Sequence, residues 1–198
     1  MCILGVDFKI FPRENAKTEN FGVSAMDLGV GFYIVCHSMR IVRNEEISGK
    51  NKTTITSQLA KFPTDFLNTL KSSTFLLIIG FCRLYSVKAT NYVEHVSEYG
   101  VHWNFLFTIV LVKVIACPLQ VLIAKSSIRS FLMGAVIAFY YQFFLTKKNY
   151  TAYLINDFGR TGFINQNKEG IYSCIGYLAI YLCSQAIFLQ LSSILSRK

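Results

Sequence analysis

Four ionisable residues break otherwise apolar runs of this chain: Asp27, Arg83, His102 and Lys113, with the amide of Asn104 close behind the histidine. A charge or strong dipole inside such a run is costly unless it faces a cavity, a partner side chain or a bound group, so each is a candidate for function. His102 is the side chain best suited to proton transfer, because a free imidazole titrates at about pH 6.5. The competing reading of His102, Trp103 and Asn104 is an interfacial belt of amphipathic rings. Asp27 lies beside Gly29 and Gly31, where missing side chains admit a close neighbour, and it reads equally as a helix–helix hydrogen-bonding group and as a site group. Lys113, with Pro118 just beyond it, has three open readings: it snorkels, pairs with another helix, or touches a lipid phosphate.

The elements that carry these residues follow from composition. Of 198 residues, 53% are hydrophobic and 16% charged, and the mean hydropathy is +0.40. That balance excludes a disordered chain, and five of the six cysteines lie within apolar runs, which argues against a disulfide-stapled secreted domain. A helix needs roughly 20 mostly apolar residues to cross a hydrocarbon layer about 30 Å thick. The stretch 170–195 meets this with no charge at all, 101–124 contains only Lys113, and 130–146 is uncharged between Arg129 and Lys147. Two weaker runs, 21–39 with Asp27 and 72–87 with Arg83, complete a predicted all-α, multi-pass transmembrane bundle of about five spans forming one domain over 1–198. The polar stretch 40–71 reads as a loop between the first two spans.

Lys and Arg enrichment marks cytoplasmic loops. The 40–71 segment holds six such residues, 88–100 only Lys88, the turn before the fourth span Lys125 and Arg129, and the C-terminus Arg197 and Lys198. This places 40–71 in the cytoplasm, against the vote of Lys147, Lys148, Arg160 and Lys168. The sequon at Asn149 then falls on the lumenal side and the one at Asn51 on the cytoplasmic side. Segments 1–20, 88–100 and 147–169, rich in charged, aromatic and small residues, share the non-cytoplasmic face. They read as solvated loops one at a time and as a shared site together.

Other signatures are missing from the sequence. It contains no G-x-S-x-G, Walker, G-x-G-x-x-G or C-x-x-C motif. His37, His95 and His102 have no metal-ligand spacing, and the cysteines read as small apolar core residues. No metal and no bound cofactor are expected. The formal charge of +9 does not point to nucleic acid, because the basic residues flank spans, where they match anionic lipid.

Three strings carry a resemblance. FPRENAKTENFGVSAMDLGVGFYIV (11–35), EHVSEYGVHWNFLFT (94–108) and INQNKEGIYSCIGYLAIYL (164–182) resemble, in order, three motifs of the GPI-anchor biosynthesis inositol acyltransferases. The likeness runs from about Cys2 to Leu182 and thins to bare hydrophobicity in the basic segment and from Pro118 to Tyr150. Members of that family are longer bundles, so the resemblance implies that this chain corresponds to a partial or short form.

The resemblance implies an endoplasmic-reticulum membrane enzyme that transfers a fatty acyl group from acyl-CoA, palmitoyl-CoA in particular, to the inositol ring of glucosaminyl-phosphatidylinositol. Such a step needs a base for the hydroxyl proton, a donor for the developing oxyanion and a dry cavity. The resemblance assigns the first two roles to Asp7 and Lys17, with His102 as supporting or rival base; without it, Asp7 and Lys17 read as boundary charges. It makes Trp103 and Asn104 candidates to stack on or hydrogen-bond to the sugar, with Asp27, Glu98, Tyr99, Arg160, Asn167 and Glu169 as further substrate contacts. Arg160 suits a phosphate because its planar fork matches phosphate oxygens. Membrane lipid is the remaining expected partner. Two other classes stay open: a non-catalytic membrane subunit or inactive truncated product, and, with less support, a small-solute transporter, which would show paired, interrupted helices.

Overall fold

The computed structural model describes residues 8–10, 12, 28–47, 54–90, 99–147, 150–155 and 160–195. Among these residues seven helices follow in order: α1 (Leu28–Ile47), α2 (Ile55–Ala89), α3 (Phe105–Ile123), α4 (Ser127–Lys147), α5 (Tyr150–Ile155), α6 (Phe163–Gln166) and α7 (Lys168–Leu195). The fold is all-α, and four of these helices, α2, α3, α4 and α7, are long and apolar enough to cross a membrane. Helix α1 covers the second half of the expected first span.

Helix α7 is the hub. It packs against α1, α3 and α4, while α2 packs on α3. Pairings fix the directions: Trp103 meets Gly170 and Gln120 meets Gln185, so α3 runs parallel to α7. Ser130 bonds to the Leu182 carbonyl at 2.8 Å, so α4 runs antiparallel to it. The bundle therefore has two ends. One gathers the N-termini of α3 and α7; the other gathers the N-terminal half of α2, the C-terminal parts of α1, α3 and α7, and the α3–α4 turn.

Small and hydroxylic residues let these helices approach closely, as expected where apolar side chains gain little by leaving lipid for protein. Ser38 and Ser184 share a hydrogen bond of 2.8 Å between α1 and α7. Ser127 reaches the Ala186 carbonyl at 2.8 Å, and Gly134 leaves room for Cys183 on the α4–α7 seam. Around them Ile34, Val112, Ile123, Tyr181 and Leu182 form the buried core. Phe75, Ile78 and Phe81 on α2 and Phe131, Val136 and Phe139 on α4 stay exposed, consistent with lipid-facing sides.

Two sequence expectations need correction. The stretch 40–71 is not a loop: α1 continues to Ile47, and α2 begins at Ile55. At 1.5 Å per residue, the 35 residues of α2 reach about 52 Å, well beyond a hydrocarbon layer of about 30 Å. Its polar first half reads as loop in the sequence because low hydropathy marks departure from lipid, not the end of a helix. Nor are the cysteines uniformly core residues. Cys174 is buried and Cys117 and Cys183 are half-buried, but Cys36 and Cys82 are exposed, because a membrane helix is apolar on its lipid-facing side as well as toward its neighbours.

The α3–α4 connection is tight. Ala124 and Lys125 both take left-handed backbone angles, φ 42° and 59°, at about 1–2 kcal/mol each for residues bearing a Cβ. The turn is held by Ala124 N–H donating to the Gln120 carbonyl at 3.0 Å and Ser126 N–H to that of Ile123 at 3.0 Å.

Candidate functional site

The second and third resemblance strings meet at one end of the bundle. Gly100 has φ +102°, and a Cβ there would strike the Gln166 carbonyl and Asn167. This tight crossing lets Val101 N–H donate to the Gln166 carbonyl at 2.9 Å and His102 N–H to Asn167 Oδ1 at 2.8 Å. One turn on, the Trp103 ring and the Tyr99 carbonyl fill the space that a side chain at Gly170 would need. Trp103 Nε1 donates to Thr108 Oγ1 at 2.9 Å.

Asn104 explains why α3 starts where it does. Its Oδ1 accepts from the N–H groups of Leu106 at 3.0 Å and Phe107 at 3.2 Å, the usual work of an N-cap. Its Nδ2 donates to the Gly80 carbonyl at 3.0 Å, tying α3 to α2. Asn167 is equally committed: Oδ1 holds His102, and Nδ2 donates to the Phe163 carbonyl at 2.8 Å. Both asparagines are buried, so their amides position backbone.

Glu169, in the first turn of α7, pairs with Arg160 through two contacts, 2.9 Å and 3.4 Å. A carboxylate at a helix N-terminus is stabilised by the unpaired N–H groups there, and the guanidinium fork is already matched. Arg160 can therefore meet a phosphate only by sharing or leaving Glu169. The His102 ring is half-buried, and Lys88 Nζ lies 2.8 Å from its Nδ1. An ammonium offers only donors, so Nδ1 accepts and the ring proton sits on Nε2. For His102 to act as a base through Nδ1, Lys88 must move away.

Of the sequence candidates, Tyr99, His102, Trp103, Asn104, Arg160, Asn167 and Glu169 are thus brought to one end. Asp7, Lys17, Asp27 and Glu98 lie outside the described residues, as do Asn51 and Asn149. Gly29 and Gly31 have no neighbour within 4 Å of an added Cβ, so among the described residues the close approach expected there is not made. Sequence reasoning missed Lys168, which is 1% exposed, donates to the Tyr153 carbonyl and stands 4.7 Å from the centre of its ring. It pins α5 to α7, and nothing in the string separates it from a solvated loop lysine. Among the described residues no three His, Cys, Asp or Glu side chains are grouped to hold a metal.

A helical membrane bundle whose two most distinctive strings interlock is a defined class of molecule, and sequence comparison narrows it. The chain belongs to the GWT1 family, whose profile matches residues 1–196. It is 40% identical over 197 residues to GPI-anchored wall transfer protein 1 of Cryptococcus neoformans var. grubii, covering 94% of this chain and 32% of that protein. The proteins of the same name from Kluyveromyces lactis and Yarrowia lipolytica are 40% and 41% identical, each covering 94% of this chain and 39% and 36% of their own length. The chain thus spans about a third of the length of the curated relatives it matches.

Proposed function

We propose that this chain is part of an acyltransferase of GPI-anchor biosynthesis in the endoplasmic-reticulum membrane, one that moves a fatty acyl group from acyl-CoA to the inositol ring of glucosaminyl-phosphatidylinositol. The observation that carries the reading is the interlock of Tyr99–Asn104 with Asn167–Gly170, the strings by which the chain resembles that family. The names of its relatives support a role in GPI-anchor biosynthesis.

In this reading Asp7 takes the proton of the ring hydroxyl as its oxygen attacks the thioester carbonyl. Lys17 stabilises the negative charge that develops on the carbonyl oxygen, and the thiolate of CoA leaves and is then protonated. A cationic Lys17 beside Asp7 lowers the basicity of the carboxylate, so the pair works only where burial or a proton relay offsets that attraction. His102 is the accessory proton carrier once Lys88 moves away from Nδ1. The interlocked asparagines and glycines hold this end of the bundle in register.

The test is acyl transfer from labelled palmitoyl-CoA to glucosaminyl-phosphatidylinositol in membranes of cells lacking their own enzyme. This chain and a full-length relative are compared after blotting confirms insertion. Asp7→Asn and Lys17→Ala, and the equivalent changes in the relative, are each expected to cut turnover at least about a hundredfold. Full activity in both variants would overturn the assignment of the pair. A stable, inserted but inactive chain beside an active relative would identify this chain as a non-catalytic portion.

A further inference from the structure

Lysines at the two ends of the bundle are used differently. At the end opposite the interlock, α1, α2, α3 and α7 line a cavity of about 690 Å³, where Lys113 donates to a serine hydroxyl, Ser72 Oγ, at 3.1 Å. At the interlocked end Lys88, in the last turn of α2, donates instead to an imidazole, with His102 Nδ1 2.8 Å away. A hydroxyl both gives and takes hydrogen bonds whatever its partner, but the chemistry of an imidazole depends on which nitrogen holds the proton.

Of the two partners the histidine is the fixed one. Its N–H is held by Asn167 Oδ1 at 2.8 Å, the Trp103 that follows donates to Thr108 Oγ1 at 2.9 Å, and buried Asn104 caps α3. Helix α2 is tied as well, because Asn104 Nδ2 donates to the Gly80 carbonyl at 3.0 Å, about two turns before Lys88. The Lys88 side chain is exposed, and its flexible four-carbon stem lets the ammonium leave the ring without any helix moving.

The contact has a chemical consequence. A ring nitrogen that accepts from an ammonium must keep its lone pair, so the docked ring is neutral, holds its proton on Nε2 and has no free site at which to take another. Docked, His102 is a hydrogen-bond donor only. Once Lys88 swings off, the Nδ1 lone pair is free to take up the hydroxyl proton passed on by Asp7, and the imidazolium so formed returns it to the departing thiolate.

We infer that Lys88 is a positioning residue that acts through His102: docked, it fixes the ring in the Nε2–H form and withholds Nδ1, and its departure switches His102 from donor to proton carrier. The inference rests on the reading of His102 as accessory proton carrier in acyl transfer. It concerns a residue that the three resemblance strings do not contain.

The test reads the ring directly. The full chain, labelled with nitrogen-15 histidine, is placed in phosphatidylcholine nanodiscs at about pH 8, above the titration of a free imidazole. His102→Gln removes the His102 signals and so assigns them. The wild type is expected to carry the proton on Nε2 alone. Lys88→Met, which offers no donor, is expected to populate both tautomers, and Lys88→Glu, which accepts from Nδ1, to move the proton to Nδ1. Lys88 is exposed, so these variants keep the fold, and thermal unfolding checks it. In the acyl-transfer assay, with the equivalent changes in a full-length relative, Lys88→Met is expected to lower kcat about tenfold with KM unchanged, the effect of losing one charge-assisted hydrogen bond; Lys88→Arg, which keeps donor and charge, retains most of it. A His102 tautomer that is the same in the wild type and both variants, or a wild-type proton on Nδ1, would overturn the inference, as would an unchanged kcat in Lys88→Met. The tautomer is read without turnover, so if no protein transfers an acyl group the acyl-transfer reading fails while the ring signals still decide for or against Lys88.

Discussion

The two ends of this bundle spend their polar groups in opposite ways. At the interlocked end, Asn104 and Asn167 give their amide atoms to backbone, and Arg160 is matched by Glu169. At the cavity end, among the described residues, Lys113 bonds to a serine and His37 keeps a buried atom unpartnered. Satisfied buried networks fix geometry, whereas unsatisfied ones are retained at a cost that a ligand can offset. The richest motif strings therefore meet where polar groups are spent on backbone, and Lys113 and His37 lie where they are not.

The sharpest way to break this contrast is Gly170→Val. The new side chain collides with the Trp103 ring and the Tyr99 carbonyl, both held by further contacts, so the interlock must open. A loss of about 3 kcal/mol or more is expected, read as a collapse of the thermal transition in detergent or as new protease cleavage near residue 100. Next is Asn104→Ala, which removes the cap of α3 and strands the Gly80 carbonyl tie. About 2 kcal/mol of destabilisation is expected, and chemical denaturation followed by Trp103 fluorescence measures it.

At the cavity end the same experiment should have the opposite sign. His37→Leu removes an unsatisfied buried nitrogen, so stability is expected to hold or to rise by about 1 kcal/mol; a large loss of stability would show that His37 is structural after all. Smallest is Ala124→Gly in the α3–α4 turn. Glycine accepts φ 42° without the Cβ penalty, and the gain, offset by its greater freedom when unfolded, is expected to be under about 1 kcal/mol.

Much of this was legible in the sequence. The long apolar runs predict α3, α4 and α7 to within a few residues, because a hydrocarbon solvent imposes length and composition on every span. Asn104 and Asn167 read in the sequence as substrate contacts, and their described bonds are to backbone. Their partners lie 24 and 65 residues away, a separation that no local pattern encodes. Lys113 has three readings in the sequence alone; the fold places Ser72, Arg40 and His37 with it around one cavity.

What the sequence determined by itself is everything set by the solvent and by local geometry: an all-helical membrane bundle, the approximate limits of its spans, and the strings that assign it to its family. Only the tertiary structure decided which polar groups are spent on holding helices together and which remain available. That partition depends on how helices distant in the chain cross, and a buried donor's role is fixed by the acceptor that the crossing brings within 3 Å, or fails to bring.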